Sequence, residues 1–134
     1  MDDFISRLTI IAIVFSAFLL LKLLISRKNR NVSKNHKLDR EMFPLWQPGK
    51  ESIMFFTNDT CMECEKLQKP ALKQLKTADT QIFTINASED IKLANYFRIL
   101  TVPTTIILDD QGVPQFINQG FTNEEILLEQ LGQI

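Results

Sequence analysis

An almost uninterrupted apolar stretch near the amino terminus constrains this chain more than any other feature of its sequence. Residues 8–21 (LTIIAIVFSAFLLL) carry no charge, and after Lys22 the apolar run continues through residues 23–25. A helix rises roughly 1.5 Å per residue, so residues 8–25 would span about 27 Å, close to the hydrocarbon thickness of a bilayer. Lys22 lies near the end of this span, where its long stem lets the ammonium group reach the interface. We therefore predict one N-terminal transmembrane helix.

Two other interpretations of this stretch fit the sequence less well. A helix buried in a soluble domain would have a polar face, whereas this stretch is apolar around its whole circumference. A cleaved signal peptide would need a small-x-small site after the apolar run, which ends instead in Ser26-Arg27-Lys28. We therefore expect residues 1–26 to form an uncleaved transmembrane anchor.

The charges that flank the span predict its orientation. Arg7 precedes it, and six basic residues follow within about fifteen positions: Arg27, Lys28, Arg30, Lys34, Lys37 and Arg40. The positive-inside rule counts lysines and arginines, so it places the C-terminal domain in the cytoplasm. An extracytoplasmic domain is the alternative, because a first helix does not always obey its flanking charges.

Residues 27–50 show no periodic apolar pattern and end in Gln47-Pro48-Gly49, so we interpret them as a basic linker. Their basic stretch has no interleaved aromatic residues and adjoins the membrane, which favours contact with lipid headgroups and predicts no nucleic-acid partner. Residues 1–40 carry a net charge of +5 and residues 41–134 one of −6, against −1 for the whole chain. The chain is therefore a basic stalk on an acidic domain, not a uniformly basic nucleic-acid binder.

Residues 51–134 alternate between strand-like and helix-like segments. The strand-like segments are residues 52–56, 81–85, 104–108 and 115–118, and helical patterns follow the capping clusters 57–60, 86–89 and 122–125. The order is β-α-β-α-β-β-α. The short turn at 109–112 implies an antiparallel hairpin, whereas the helical crossovers imply parallel pairing earlier. The sequence therefore predicts an α/β domain with a mixed sheet flanked by helices on both faces.

The first helix of this domain has an apolar face that contains a cysteine. The residues at helical spacing on this face are Cys64, Leu67, Ala71, Leu72 and Leu75. Pro70 interrupts the pattern. Because a proline removes one backbone hydrogen bond, we expect a kink at Pro70.

Two thiols, three residues apart, lie where the first strand turns into this helix, in Cys61-Met62-Glu63-Cys64. Cys61 would sit at the helix N-terminus, where free N–H groups and the helix dipole stabilise a thiolate. Cys64 would follow one turn later on the same face, which suits thiol–disulfide exchange. Half a zinc site has the same spacing, so the motif alone leaves both chemistries open. With two cysteines and one histidine, one chain cannot supply four Cys/His ligands.

With these cysteines, with Pro70, and with Thr101-Val102-Pro103-Thr104 before an apolar strand, the chain resembles the thioredoxin superfamily over roughly Ser52 to Leu131. The resemblance implies a thioredoxin-like mixed sheet and a redox site.

The resemblance also implies roles for particular residues. Cys61 would be the nucleophile and Cys64 the resolving thiol. Pro103 would be a cis proline beside the cysteines. Without the resemblance, the alternative is a trans proline at the start of a strand. Val102 would pair with the substrate backbone, and Thr101 would lie beside it in the same substrate-binding segment.

The chain departs from the family pattern at several positions. Thr60 stands where thioredoxins have a tryptophan, and Met62-Glu63 where they have Gly-Pro. The family's buried acid, which moves a proton during resolution, would fall at Phe55, and Pro70 comes one residue later than in the family. A full first strand–helix pair does not fit into residues 41–51. Glutaredoxins share Thr-Val-Pro, but their Gly-Gly glutathione contact is replaced here by Gly120-Phe121.

These features predict a membrane-anchored thiol–disulfide oxidoreductase that acts on disulfides or thiols of protein substrates and depends on an upstream electron donor. We expect neither a cofactor nor a metal in that reaction. A redox sensor whose disulfide controls association with a membrane partner is one alternative. The other is a non-catalytic interaction module, with a vestigial C-x-x-C motif or a Cys₄ zinc site shared across a dimer.

Acidic residues near the motif indicate the direction of electron transfer. Asp59, Glu63 and Glu65 lie within four residues of a cysteine, and Lys66 is the nearest base in the sequence. Their field opposes the thiolate that a helix terminus favours by about 0.3–1 kcal/mol. A less stable thiolate makes the dithiol form less stable, so we expect a reductant rather than a strong oxidant.

The predicted orientation can be tested with a membrane-impermeant maleimide on intact cells treated with a membrane-permeant reductant. A cytoplasmic domain predicts that the cysteines react only after the cells are permeabilised, because the bilayer excludes the reagent. Labelling in intact cells would place the domain outside and contradict the positive-inside prediction.

Overall fold

The computed structural model describes residues 10–21, 36–75 and 80–134, and the chain divides into two units, Met1–Val32 and Ser33–Ile134. In the first unit, residues 10–21 form a helix whose side chains are exposed. Within the described ranges, no helix is both long and apolar enough to cross a membrane. Residues 8–9 and 22–25 of the predicted span, and residues 27–35 of the basic stretch, lie outside the described residues.

The second unit contains a four-stranded mixed sheet, as the sequence predicts. Its strands are β1 (Ser52–Thr57), β2 (Gln81–Asn86), β3 (Thr104–Leu108) and β4 (Pro114–Gln119). The strand order is β2-β1-β3-β4, with β1 parallel to β2, and β3 antiparallel to both β1 and β4. The helical segments are a π-helical turn (Cys64–Gln68) that continues into α1 (Lys69–Gln74), then α2 (Ile91–Tyr96) and α3 (Glu124–Leu131).

Strand β1 is the centre of the domain, because all six of its residues are buried. Successive side chains of a strand point to opposite faces. Met54 and Phe56 enter one apolar cluster, which includes residues of α2. Ile53 and Phe55 enter a second cluster, which includes residues of α1 and α3. Helices therefore cover both faces of the sheet, as expected from the sequence.

The cap of α2 lies outside the predicted cluster 86–89, whereas the cap of α3 lies within the predicted cluster 122–125. The Asp90 carboxylate accepts a hydrogen bond from the Leu93 N–H at 3.0 Å and caps α2, and Asn123 caps α3 through the Ile126 N–H at 3.0 Å. The predicted capping cluster 86–89 does not cap α2, because Asn86 ends β2 and its side-chain amide oxygen accepts from the Ser88 N–H.

Part of the predicted linker belongs to the folded domain. Leu38 is fully buried and Trp46 nearly so, both in the cluster that contains Met54 and Phe56. We call residues 38–46 the N-terminal strap. The linker interpretation is wrong over this segment, because two apolar side chains eight positions apart anchor it without any periodic pattern.

The strap packs on the turn between β3 and β4. The Leu38 N–H donates to the Gly112 carbonyl at 2.8 Å. Gly112 has a φ of +79°, and a Cβ there would lie 2.7 Å from the Leu38 carbonyl oxygen and 2.9 Å from a ring carbon of Trp46. Glycine is therefore required here both by the backbone angle and by the close approach of the strap.

Tyr96 of α2 holds the residues just before the strap. Its hydroxyl donates to the Lys37 carbonyl at 2.8 Å, and its ring meets that of His36 edge-on, with centroids 5.0 Å apart. Burial and, to a lesser extent, the negative charge of Asp39 raise the pKa of Tyr96. The hydroxyl therefore keeps its proton and remains a donor at neutral pH.

We predict that Leu38→Ala lowers the free energy of unfolding by about 2–5 kcal/mol, because it leaves a cavity in the core. The matched control is Leu45→Ala in the same strap, where the side chain is 71% exposed and the expected change is within about 0.5 kcal/mol. Urea unfolding can be followed through the fluorescence of Trp46, the sole tryptophan. Equal stability of the two variants would contradict the packing of the strap.

Candidate functional site

The turn after β1 directs Cys61 toward the start of the helix. The Asn58 side-chain oxygen accepts hydrogen bonds from the Thr60 N–H and hydroxyl, at 3.1 and 3.2 Å. The Cys61 N–H donates to the Asn58 carbonyl at 3.3 Å. On the neighbouring strand, the Asn86 amide donates to the Asp59 carboxylate at 3.0 Å. Because β1 and β2 are parallel, their carboxyl ends meet at one sheet edge, and this bond fixes the turn to both strands.

The two cysteines form a disulfide but have different environments. The sulfurs are bonded at 2.05 Å and the Cα atoms lie 5.2 Å apart. Cys61 is half-buried, whereas Cys64 is fully buried. The Cys64 N–H donates to the Cys61 sulfur at 3.1 Å. A backbone donor aimed at a sulfur favours its negative form, so the accessible sulfur is also the one that the helix terminus stabilises as a thiolate.

The helix widens directly after the cysteines. The Lys69 N–H donates to the Cys64 carbonyl, five residues earlier, which defines the π-helical turn. This wider turn follows Cys64 and ends just before α1, where Pro70 lies in the first turn and lacks the N–H of an intrahelical bond. The sequence predicts a kink at Pro70, and the structure has a π-helical turn at this point.

The π-helical turn also changes which residue faces the core. Leu67, predicted to lie on the buried face, is 47% exposed, and Gln68 is fully buried in its place. The prediction is wrong at this position because it assumes 3.6 residues per turn, whereas a π-helical turn takes in one residue more.

Gln68 is a site residue that the sequence analysis missed. Its amide nitrogen donates to the Thr122 carbonyl at 3.0 Å, and its amide oxygen accepts from the Thr122 N–H at 2.9 Å. This pair joins the helix of the cysteines to the loop before α3. The signal available in the sequence was a polar residue beside an otherwise apolar helix face.

The Val102–Pro103 peptide bond is cis, as predicted, and Pro103 is buried. Val102 packs against the apolar cluster that contains Cys64, and Cys61 packs against the same cluster. The structure therefore brings both cysteines and Val102 together around one group of side chains. Within the described residues, neither the N–H nor the carbonyl of Val102 has a hydrogen-bond partner, so both are available to a bound chain.

Thr101 and Pro103 have engaged carbonyl groups. The Thr101 carbonyl accepts from the Thr104 hydroxyl at 2.7 Å, and the Thr101 side chain is exposed. The Pro103 carbonyl accepts from the Gly120 N–H at 2.8 Å. Within the described residues, Val102 is thus the residue of this segment whose N–H and carbonyl are both free.

Phe55 occupies the position at which the resemblance implies a buried acid. Its side chain is fully buried in the same apolar cluster as Cys64. This position therefore supplies no carboxylate to accept the proton of Cys64.

Two of the acidic residues near the motif, Glu65 and Asp59, have partners that sequence spacing alone did not identify. Glu65 forms an ion pair with Lys69 at the i, i+4 spacing, rather than with Lys66. Asp59 accepts the hydrogen bond from Asn86 described above. In the described part of the chain, no group of three or more His, Cys, Asp or Glu side chains is placed to hold a metal ion.

Comparison with known proteins identifies relatives of the second unit. A family model described as a thioredoxin-like domain matches residues 38–134, which includes the strap. The solved structure of a mutant thioredoxin from Halobacterium salinarum NRC-1 is similar, with a TM-score of 0.58 and 24% identity over 63% of this chain and 74% of that chain. No curated protein matches the chain.

Two further solved structures share the fold. A thioredoxin-like protein from Clostridium perfringens has a TM-score of 0.53 and 25% identity over 65% of this chain and 72% of that chain. StoA from Bacillus subtilis has a TM-score of 0.53 and 19% identity over 63% of this chain and 84% of that chain.

Proposed function

Because the chain belongs to the thioredoxin-like family and holds its cysteine pair at disulfide distance, it is a thiol–disulfide oxidoreductase, and we propose that it reduces disulfides of partner proteins from a membrane anchor. The observation that carries this proposal is the difference between the two cysteines. Cys61 is accessible and receives an N–H donor at its sulfur, whereas Cys64 is buried behind it. An accessible attacking thiol and a shielded resolving thiol are what a two-step exchange requires.

The reaction proceeds through a mixed disulfide. The Cys61 thiolate attacks one sulfur of the substrate disulfide, the substrate S–S bond breaks, and its electron pair leaves with the second substrate sulfur. The Cys64 thiolate then attacks the Cys61 sulfur, which forms the Cys61–Cys64 disulfide and releases the first substrate sulfur as a thiolate. The substrate gains two electrons and the protein loses two. An upstream electron donor must return them before the next cycle.

Substrate binding is assigned to the segment that precedes Pro103. The free N–H and carbonyl of Val102 can pair with an extended stretch of the substrate backbone, as in the addition of a strand to a sheet. Thr101 would flank this pairing from its exposed position, and Pro103 would fix the direction of the chain. Backbone pairing accepts many sequences, so protein substrates are favoured over one particular small molecule.

The resolving step would be slower here than in a protein with a buried acid. The thiol of Cys64 must lose its proton before it attacks Cys61, and Phe55 cannot accept that proton. The acceptor is then the departing substrate thiolate or solvent. This chemistry suits a protein with a limited set of partners better than a general-purpose reductase.

The anchor and its orientation rest on the sequence. Residues 8–25 would cross the membrane, and the basic residues after them would hold the domain on the cytoplasmic side, with an extracytoplasmic domain as the alternative. The role of a reductant is supported by the acidic residues around the cysteines, of which Glu65 is partly compensated by Lys69.

We predict that Cys64→Ser accumulates mixed disulfides with natural partners, because Cys61 still attacks but nothing resolves the adduct. Non-reducing electrophoresis of cells expressing this variant should show at least about ten times more adduct than wild type. The matched control is Cys61→Ser, which should show none, because the remaining thiol is buried. If neither variant forms an adduct while both lose activity, the assignment of Cys61 as the attacking thiol fails.

A further inference from the structure

A chain of hydrogen bonds connects the helix of the cysteines to the cis-proline segment through a third loop. We call residues Gly120, Phe121 and Thr122 the Gly120 loop. Gln68 holds one end of this loop through its two bonds to Thr122, and the Pro103 carbonyl holds the other end through the Gly120 N–H. Three segments distant in sequence are therefore fixed together around the redox site.

The contact made by Gln68 is specific to an amide. The side chain is fully buried, and Thr122 is also buried. Its donor and its acceptor are both used, each by one backbone group of the same residue. An apolar side chain of similar length would fill the space but leave a buried N–H and a buried carbonyl without partners.

The Gly120 loop is constrained by its own backbone as well. Gly120 has a φ of +85°, which disfavours other residues, although a Cβ there would meet no atom within 4 Å. The next residue after the loop, Asn123, caps α3, and Leu127 of α3 packs in the cluster that contains Cys64. Between its two fixed ends the loop presents Phe121, whose side chain is 41% exposed.

We propose that Gln68 is a positioning residue: it holds the Gly120 loop against the cis-proline segment so that the surface that receives a protein substrate is already formed. This inference rests on the proposed function. Gln68 lies in the π-helical turn that begins at Cys64. The same turn that buries Gln68 therefore also brings its amide to the Gly120 loop and connects the cysteine helix to that loop. Without the amide, the loop must be ordered at each binding event, and that ordering weakens binding of large substrates.

A comparison of a small disulfide with a protein disulfide as substrates distinguishes a positioning role of Gln68 from a general effect of Gln68 on stability. A small aromatic disulfide needs to reach only the sulfur of the half-buried Cys61, so its reduction should not depend on the loop. A protein disulfide must also bind along Val102 and the Gly120 loop. Loss of positioning should therefore raise KM for a protein substrate and leave kcat nearly unchanged.

The test compares Gln68→Met with Gln130→Met in the full chain. Gln130 is a matched control, because its amide makes two reciprocal bonds to the Asn118 side chain, at 2.8 and 2.9 Å, and among the described residues it has no hydrogen bond to the cysteines or to the Gly120 loop. For Gln68→Met we expect kcat/KM with insulin as substrate to fall about tenfold through KM, and the rate with 5,5′-dithiobis(2-nitrobenzoate) to stay within about twofold. For Gln130→Met we expect both rates to stay within about twofold of wild type.

A second measurement does not depend on any variant. In the wild-type protein, hydrogen exchange of the Gly120 and Thr122 N–H groups should be strongly protected, because both are bonded. If Gln68→Met does not fold, Gln68→Glu takes its place, since a neutral carboxyl group can still accept from the Thr122 N–H and donate to the Thr122 carbonyl, and a smaller rise in KM is expected.

Four results would overturn the positioning role of Gln68, and one of them would also overturn the proposed function. Equal losses with both substrates, or equal losses in the Gln68 and Gln130 variants, would overturn the positioning role while leaving the proposed function intact. Exchange of Gly120 and Thr122 at the rate of an unstructured peptide would overturn it as well. A wild-type protein that reduces neither substrate would overturn the proposed function itself, and the positioning role with it.

Discussion

The burial of β1 on both faces is the constraint on which the rest of this domain depends. Every residue of the strand is buried, and its alternating side chains supply both apolar clusters. Its register with β2 and β3 places Thr57 at the sheet edge where the chain turns toward Cys61. The cysteines are therefore positioned by a strand that cannot shift by one residue without exposing Phe55 and Phe56. The same burial places a phenylalanine behind Cys64, and so ties the chemistry of the resolving step to the packing of the core.

The features that the sequence predicted well are local ones. The strand predicted at residues 52–56 is observed at Ser52–Thr57, and the one predicted at 104–108 is observed at Thr104–Leu108, because short β-branched or aromatic runs between turn residues have few other stable conformations. The cis Val102–Pro103 bond was predicted from the family resemblance, because a proline alone does not determine its isomer.

The features that the sequence did not predict depend on contacts between distant segments. The strap is folded because Leu38 and Trp46 reach a core made by other strands, and no period within residues 27–50 reveals this. Gln68 is buried because a π-helical turn displaces Leu67, and its partner Thr122 lies 54 residues away. The membrane span remains a prediction from hydropathy and flanking charge.

The proposed role as a reductant is tested most directly by the reduction potential of the Cys61–Cys64 pair. The full chain is equilibrated with mixtures of reduced and oxidised glutathione, and the dithiol fraction is counted by alkylation and mass spectrometry. The acidic residues Asp59, Glu63 and Glu65 disfavour the thiolate and therefore the dithiol form, which predicts a potential near that of thioredoxin, about −270 mV. A potential above about −200 mV would contradict this account and favour an oxidase or isomerase that faces outward.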